Sequence, residues 1–362
     1  MNIKPVTTKR DIKKFYDFSS KVYKELPNHR STEDDITRLI VQGPSVFHTH
    51  ASVRPFLLQH NDRIVGRFVL VHDRKLPNFV QVSFFEAYSG LPDIVETIRA
   101  HSKILFPACR RMVWGLNGHL NYGAGFLLNK FDEPPIFGLP YTPAYYVNYF
   151  KELDMKEMVS FRFPLQAFID YHKSISTRAR FDGITVRKMN KKNLLHETKI
   201  YTYLNNACFP GHPYWADRDI QEDFELFSPF RFLLKEENLL FAEMNGEPIG
   251  FFLWYPDFNQ LVKGDESLGV RHALRYHLVN PIDTFRFTEI AVLPRYNISP
   301  AVQAMILKAT PLIQKTGVKY GEGGFIFEEN KRSMAMTRRF LERATGKKMQ
   351  PYRRYAVFEN DL

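Results

Sequence analysis

Two stretches of this chain repeat one another at a fixed distance, and any fold it adopts must accommodate both. Residues 55–73 read Pro-Phe-Leu-Leu-Gln-His-Asn-Asp-Arg-Ile-Val-Gly-Arg-Phe-Val-Leu-Val-His-Asp. Residues 239–257 read Leu-Leu-Phe-Ala-Glu-Met-Asn-Gly-Glu-Pro-Ile-Gly-Phe-Phe-Leu-Trp-Tyr-Pro-Asp. Asn61, Gly66 and Asp73 return as Asn245, Gly250 and Asp257, each displaced by 184 positions. In each copy an apolar run reaches Asn-Asp or Asn-Gly and comes back as a second apolar run. Those dipeptides tolerate the positive φ values that tight hairpin turns demand. Two hairpins in register point to a duplicated architecture rather than one large core.

The flanking patterns repeat as well. In the first half, helical sequence at Lys9–Lys24 and Glu33–Val41 precedes the hairpin. A strand at Val80–Ala87, a helix from Ile94 to Phe106 and a strand at Arg111–Leu116 follow it. In the second half, helical sequence at Asn193–Asn206 and Ile220–Leu226 precedes the hairpin; a strand at Phe287–Val292, a helix from Pro300 and a strand at Tyr320–Phe327 follow it. Strands and helices interleaved this way predict an α/β (α+β) chain of two lobes. The boundaries expected are 1–163 for the first lobe, a helical linker at 164–181, and 182–362 for the second. The stretch Phe258–Arg286 interrupts the second copy and reads as a surface excursion.

At 362 residues, 44% of them hydrophobic and 15% aromatic, the chain can fill two cores, which argues against disorder. Its formal charge of +11 suits anionic partners. Cys109 and Cys208 form no Cys-x-x-Cys pair, so a reduced pair of thiols in the cytoplasm is expected. No apolar run approaches the roughly 18 residues of a membrane span, so no membrane partner is expected.

The pattern resembles the GCN5-related N-acetyltransferase (GNAT) superfamily in a tandem form. In the second half the resemblance is carried by Glu243-Met-Asn-Gly-Glu-Pro-Ile-Gly-Phe251, by Glu289-Ile-Ala-Val292, and by Asn330 opening a helix that closes near Gly346. The first half is similar to the amino-terminal lobe of a bacterial tandem group. The matching residues are Asn117-Gly-His-Leu-Asn121, Gly125-Phe-Leu-Leu128, Phe131-Asp-Glu-Pro-Pro135 and Pro140-Tyr-Thr-Pro-Ala-Tyr-Tyr146. The resemblance implies that each lobe is a mixed, mostly antiparallel sheet flanked by helices. It also implies an N-acyltransferase using acetyl-coenzyme A or another acyl-coenzyme A, with a small-molecule or peptide amine as acceptor.

In that superfamily the pyrophosphate of the cofactor sits on a glycine-rich loop before a helix, where backbone N–H groups and the helix dipole meet it. The corresponding residues here are Asn297-Ile298-Ser299-Pro300-Ala301-Val302, and Pro300 has no N–H to offer. Ser299 is expected to cap the helix with Pro300 at its first position. The resemblance thus implies cofactor contacts at Ala291, Val292, Leu293, Asn297, Ser299, Ala301, Val302 and Asn330. Glu289 is the implied catalytic base, since a carboxylate in a partly apolar cleft has a raised pKa. Leu341 stands where many relatives carry an acidic tyrosine. In the first lobe, Tyr88-Ser89-Gly90-Leu91-Pro92-Asp93 has one glycine and an acidic residue at the phosphate position, which predicts a structural or substrate-shaping lobe. Asn117, Asn121, Tyr141, Tyr145 and Tyr146 are the candidates there for a substrate pocket, with turn chemistry as the alternative.

Other features offer less. His48-x-His50 has no further metal ligand at a recognisable spacing, so no metal is expected. Cys208 lacks a base at a known spacing, so the rigid aromatic loop Cys208–Trp215 reads as a packed loop, with an acceptor-site wall as the alternative. Arg338, Arg339, Arg343, Lys347, Lys348, Arg353 and Arg354 form a basic cluster, partly ordinary solvated surface, suited to the 3′-phosphate of coenzyme A or to RNA phosphates. No arginine–aromatic interleaving marks an RNA surface, so nucleic acid is not expected as a partner. Two further readings remain open from the sequence: a non-catalytic binding protein on this fold, and aminoacyl transfer from charged tRNA.

Overall fold

The structure, a computed structural model, describes residues 1–176, 181, 183–297 and 299–362. The first half contains strands β1 (Asn2–Pro5), β2 (Ala51–His60), β3 (Arg63–Asp73), β4 (Phe79–Ala87), β5 (Arg111–Trp114), β6 (Phe126–Leu127) and β7 (Asp154–Pro164). Its helices are α1 (Lys9–Tyr23), α2 (Asp34–Val41), α3 (Ile94–Leu105), α4 (Val147–Phe150) and α5 (Leu165–Ser176). The second half contains β8 (Ile184–Lys188), β9 (Leu239–Met244), β10 (Glu247–Pro256), β11 (Thr284–Val292), β12 (Tyr320–Phe327) and β13 (Arg354–Asp361). Its helices are α6 (Leu194–Cys208), α7 (Ile220–Phe230), α8 (Val270–Leu278), α9 (Ala301–Gln314) and α10 (Lys331–Thr345). Part of the linker expected at 164–181, residues 177–180, lies outside the described residues.

The chain divides into two compact units. Unit 1 comprises Met1–Met158, Val262–Ser267 and Arg353–Leu362; unit 2 comprises Val159–Leu261 and Leu268–Tyr352. In unit 1 the strands run β1-β2-β3-β4-β5-β13, with β6 also on β13. In unit 2 the order is β7-β12-β11-β10-β9-β8. Two segments of the second half, Val262–Ser267 and Arg353–Leu362, belong to unit 1. β13, expected with the second lobe, completes the sheet of unit 1, where Phe358 pairs with Trp114 and Asp361 with Arg111. Periodicity marks a strand but not the sheet it joins, because that choice depends on pairing across long sequence separation.

Both hairpins form as the repeat predicts. Asn61 and Asp62 adopt φ of 48° and 60°, and Asn245 and Gly246 adopt 53° and 80°. The recurring glycines share one physical cause. A Cβ on Gly250 would sit 2.7 Å from the Ala291 carbonyl oxygen, and one on Gly66 would sit 3.0 Å from the Glu86 carbonyl oxygen. Each glycine lets the hairpin lie close against the next strand, β11 or β4. Gly250→Ala is therefore expected to destabilise unit 2 by about 1–3 kcal/mol through overpacking against an immovable backbone atom. Urea unfolding checks this, and a loss below about 0.5 kcal/mol, the scale of a neutral surface change, would refute it.

In each unit one pair of strands is parallel and joined through a helix, as a crossover requires. β4 pairs with β5 over Phe79–Val82 and Arg111–Trp114. β11 pairs with β12 over Thr284–Phe287 and Tyr320–Gly323. Past these short ladders the two strands of each pair part company, leaving a splay beside the last residues of β4 and of β11.

In unit 2, α6 and α7 cover a core of Tyr201, Leu204, Phe241, Phe251, Leu253 and Leu293. α9 packs against β8 to β11 and against α5, which meets α10. α9 begins at Ala301, with Pro300 in the capping position at φ −77° and ψ 18° rather than inside the helix as expected. The reason is local: the Ser299 N–H donates to the Tyr296 carbonyl at 2.9 Å, so the chain is still turning there. Ser299 does assist, its Oγ accepting weakly from the Ala301 N–H at 3.4 Å.

Candidate active site

Register brings Glu289 to the mouth of the unit 2 splay. Leu253 pairs with Glu289 but Trp254 pairs with Phe287, so Thr288 is an extra residue and β11 bulges there. A bulge re-aims the side chains beside it. Glu289 is left partly accessible, while protein atoms surround its carboxylate closely. Two neutral donors from α6 hold one carboxylate oxygen: the Tyr201 hydroxyl at 2.9 Å and the Asn205 side-chain amide at 2.8 Å. Burial pushes the Glu289 carboxyl above its ordinary value of 4.5, and the nearby charge of Asp223 pushes the same way. The hydrogen bonds from Tyr201 and Asn205 and the charge of Arg286 oppose that rise without cancelling it. Burial and the adjacent carboxylate hold the Tyr201 phenol far above its usual range, so the proton stays on the tyrosine.

Behind this pair lies a second polar layer. Asp223 on α7 accepts from the Thr202 hydroxyl at 2.7 Å and from the Arg218 guanidinium at 2.5 Å. The side chains of Arg218 and Asp223 are 0% and 1% exposed, so this ion pair is fully inside the protein. Asn206 fixes the arginine's backbone by both donating to its carbonyl and accepting from its N–H. None of Tyr201, Asn205, Asp223 and Arg218 was singled out from the sequence. A signal existed: Glu197, Tyr201 and Asn205 recur every fourth residue and all three are buried, which places a polar stripe on the sheet-facing side of α6.

The cofactor positions expected from the resemblance fall into two groups. Leu293 donates its N–H to the Ile249 carbonyl at 2.8 Å, so its peptide faces β10. Peptide groups alternate sides along a strand. Val292 and Ile290 therefore turn theirs toward the splay, whereas Ala291 and Leu293 do not. Ser299, Ala301 and Val302 lie at the entry to α9, whose first-turn N–H groups have no partner within the helix. Asn297 directs its N–H to the Pro294 carbonyl in the preceding turn. Asn330 stands elsewhere, capping α10 by accepting from the Ser333 N–H at 3.1 Å.

Unit 1 shows what becomes of the same place when it is closed. Gly66 pairs with Ala87 as Gly250 pairs with Val292. Tyr88 donates to the Val65 carbonyl as Leu293 donates to that of Ile249. Ala87 thus matches Val292, and three residues earlier Phe84 stands where unit 2 has Glu289. The Ala87 N–H donates to the Tyr146 hydroxyl at 3.1 Å, and its carbonyl accepts from the Tyr145 hydroxyl at 2.8 Å. Tyr149 holds the Leu91 N–H and the Tyr88 carbonyl in the same way. Among the described residues no side chain engages the peptide of Val292. Unit 1 meets the peptide beside its splay with its own tyrosines, and in unit 2 no tyrosine among the described residues does so.

Of the remaining first-lobe candidates, the side chains of Asn117 and Tyr141 bond the backbone. Asn117 accepts from the N–H of Phe84, which sits at φ 49°. The Asn121 N–H donates to His119 in a short turn, and the Tyr141 hydroxyl donates to the Phe131 carbonyl at 2.7 Å. His50 is held by Asp73 at 2.8 Å. Arg353 and Arg354 of the basic cluster bind the Pro134 carbonyl and Glu157 inside unit 1. In unit 2, burial raises the Cys208 thiol to about 11, so it is no thiolate at neutral pH. His212, in the same loop, packs its ring 5.2 Å from Phe327 and is kept neutral by burial.

No protein-family model matches the sequence. Protein YghO of Escherichia coli (strain K12) is 22% identical over 394 residues, spanning 99% of this chain and 95% of YghO. The tandem GNAT protein from the clavulanic acid biosynthesis pathway, in its structure without AcCoA, matches 99% of this chain and 98% of its own. The TM-score is 0.52 and the identity 12%. A GCN5-related N-acetyltransferase from Anabaena variabilis ATCC 29413 matches 99% of this chain and 72% of its own, with TM-score 0.52 and 8% identity. The chain has a tandem GNAT-like fold, and no helix among the described residues is long and apolar enough to cross a membrane.

Proposed function

We propose that unit 2 of this tandem GNAT-like chain transfers an acyl group from acyl-coenzyme A to an amine, with Glu289 as general base. The observation that carries the reading is the contrast between the units: the peptide of Val292 turns toward the splay and meets no side chain among the described residues, whereas tyrosines hold that of Ala87. The fit to the cofactor is good along β11 and tighter at α9, where Pro300 removes one N–H from the phosphate-facing turn. Val292 and Ile290 would hold the pantetheine arm through backbone hydrogen bonds. The first-turn N–H groups of α9, those of Ala301 and Val302 among them, would meet the pyrophosphate. The cofactor's thioester supplies the activated acyl group.

Glu289 removes the proton that the amine must lose on attack. Its raised pKa places it nearer the working pH of a base than an ordinary carboxylate stands. Tyr201 and Asn205 fix the carboxylate without neutralising it, because neither carries positive charge. Calorimetric titration with acetyl-coenzyme A and longer acyl-coenzymes A tests the reading. Saturable binding that weakens when Val302→Pro removes a further N–H is expected, and absence of binding at millimolar concentration would refute it.

A finer test addresses the tyrosine. The Tyr201→Phe variant keeps the ring in its core but removes one donor from the carboxylate. The Glu289 pKa should rise further, so the acid limb of the pH–rate profile shifts to higher pH while the plateau rate is kept. An unshifted limb would exclude Glu289 as the group titrating there.

A further inference from the structure

The stretch read from sequence as a surface excursion contains α8, and α8 is amphipathic on both sides. Its inner side is buried: Tyr276 packs edge-on to Phe258 at 5.5 Å with the Lys235 ammonium 4.8 Å over its ring. Its outer side carries Val270, Leu274 and Leu278 at four-residue spacing, 77%, 57% and 81% exposed, with Val279 following at 73%. Arg271 and Arg275 flank that stripe and are exposed. His277 bonds the Phe232 carbonyl at 2.9 Å, which fixes α8 beside the end of α7, where Phe232 is 64% exposed under the Arg231 guanidinium. The apolar surface then continues into a groove of about 490 Å³ lined by Leu194, Leu195, Phe224 and Phe232, with Lys192 and Arg231 among its lining cations.

We propose that this face of unit 2 docks on an anionic lipid surface. Clustered large apolar side chains standing clear of the surface are unusual on a protein that meets only water. An apolar stripe edged by arginines matches the bilayer interface, where aliphatic side chains enter the acyl boundary and guanidinium groups reach back to phosphates. Charge complementarity favours an anionic partner, and the whole chain carries a formal +11. A second copy of the chain fits less well. A twofold contact through this face would gather two copies of both arginines, Arg271 and Arg275, into one interface with no acidic partner required of it. The association is peripheral and needs no spanning segment, and it departs from the expectation, drawn from the lack of a long apolar run, of no membrane partner.

The test is co-sedimentation of the full chain with vesicles of phosphatidylcholine alone and of phosphatidylcholine with phosphatidylglycerol. Binding to the anionic vesicles is expected, weakened about fivefold by each of R271Q and R275Q. L274E/L278E should abolish it, with unchanged circular dichroism and thermal melting since both leucines are exposed. Absence of binding, equal binding to neutral vesicles, or full binding by L274E/L278E overturns the proposal. So does a concentration-dependent dimer, lost in L274E/L278E, from a chain that ignores vesicles.

Discussion

Replacing Glu289 by Gln is expected to lower acyl transfer about 10²–10⁴-fold, the range associated with losing a positioned general base. The amide preserves the shape of the side chain and can still accept from Tyr201 and Asn205, so cofactor binding should persist. Release of free coenzyme A thiol, followed with a panel of amines, measures the rate, and calorimetry measures the binding. The acid limb of the pH profile should vanish with the carboxylate. The stability of the same variant carries a second signature. Burial favours the neutral acid, so the folded chain holds this proton more tightly than the unfolded chain does. The stabilisation is present at low pH and is lost as pH rises from 4.5 through the raised folded value. Glu289→Gln removes that loss, and its melting temperature should fall less than the wild type's across that window. An unchanged rate would remove Glu289 from the chemistry, and an identical pH dependence of melting would contradict the raised pKa.

The largest effect on folding is expected from Arg218→Ala. The change leaves Asp223 inside the protein with only the Thr202 hydroxyl named above as a side-chain donor, and breaking a buried pair in this way costs about 3–5 kcal/mol. Urea denaturation at neutral pH reads the loss. The double variant Arg218→Met/Asp223→Asn removes both charges and should recover most of the stability, since the unpaired charge rather than the missing bond is the cause. If the double variant is no more stable than Arg218→Ala, the unpaired charge of Asp223 is not the cause of the loss. Removing the charge of Asp223 also withdraws one influence that raises the Glu289 pKa. The double variant, if active, should therefore show its acid limb at lower pH than the wild type.

The parts of this molecule that could be read in the sequence are those whose cause is local. Asn61–Asp62 and Asn245–Gly246 announce hairpins because positive φ is a property of two adjacent residues. Gly66 and Gly250 recur because the same cross-strand carbonyl lies against both. Glu289 is legible through the resemblance, which places a carboxylate on this strand. Its donors did not, since Tyr201 lies 88 positions away on a helix whose polar stripe looks like a solvated face until the sheet is placed beneath it. Tyr145 and Tyr146 are conspicuous in the sequence, but that their hydroxyls meet the Ala87 peptide depends on where β4 leaves β5. The bulge at Thr288 was hidden for the same reason, being visible only as a mismatch of register between two strands.

The placement of β13 bears on how the chain reaches its native state during synthesis. Phe358 and Trp114 are neighbours in the sheet of unit 1 although 244 residues separate them. The ribosome therefore releases almost the whole chain before the amino-terminal unit can close its sheet. Contacts of such long range slow folding and leave an unpaired strand edge exposed meanwhile. Loss of a few residues at the carboxyl end would accordingly harm the unit that was synthesised first.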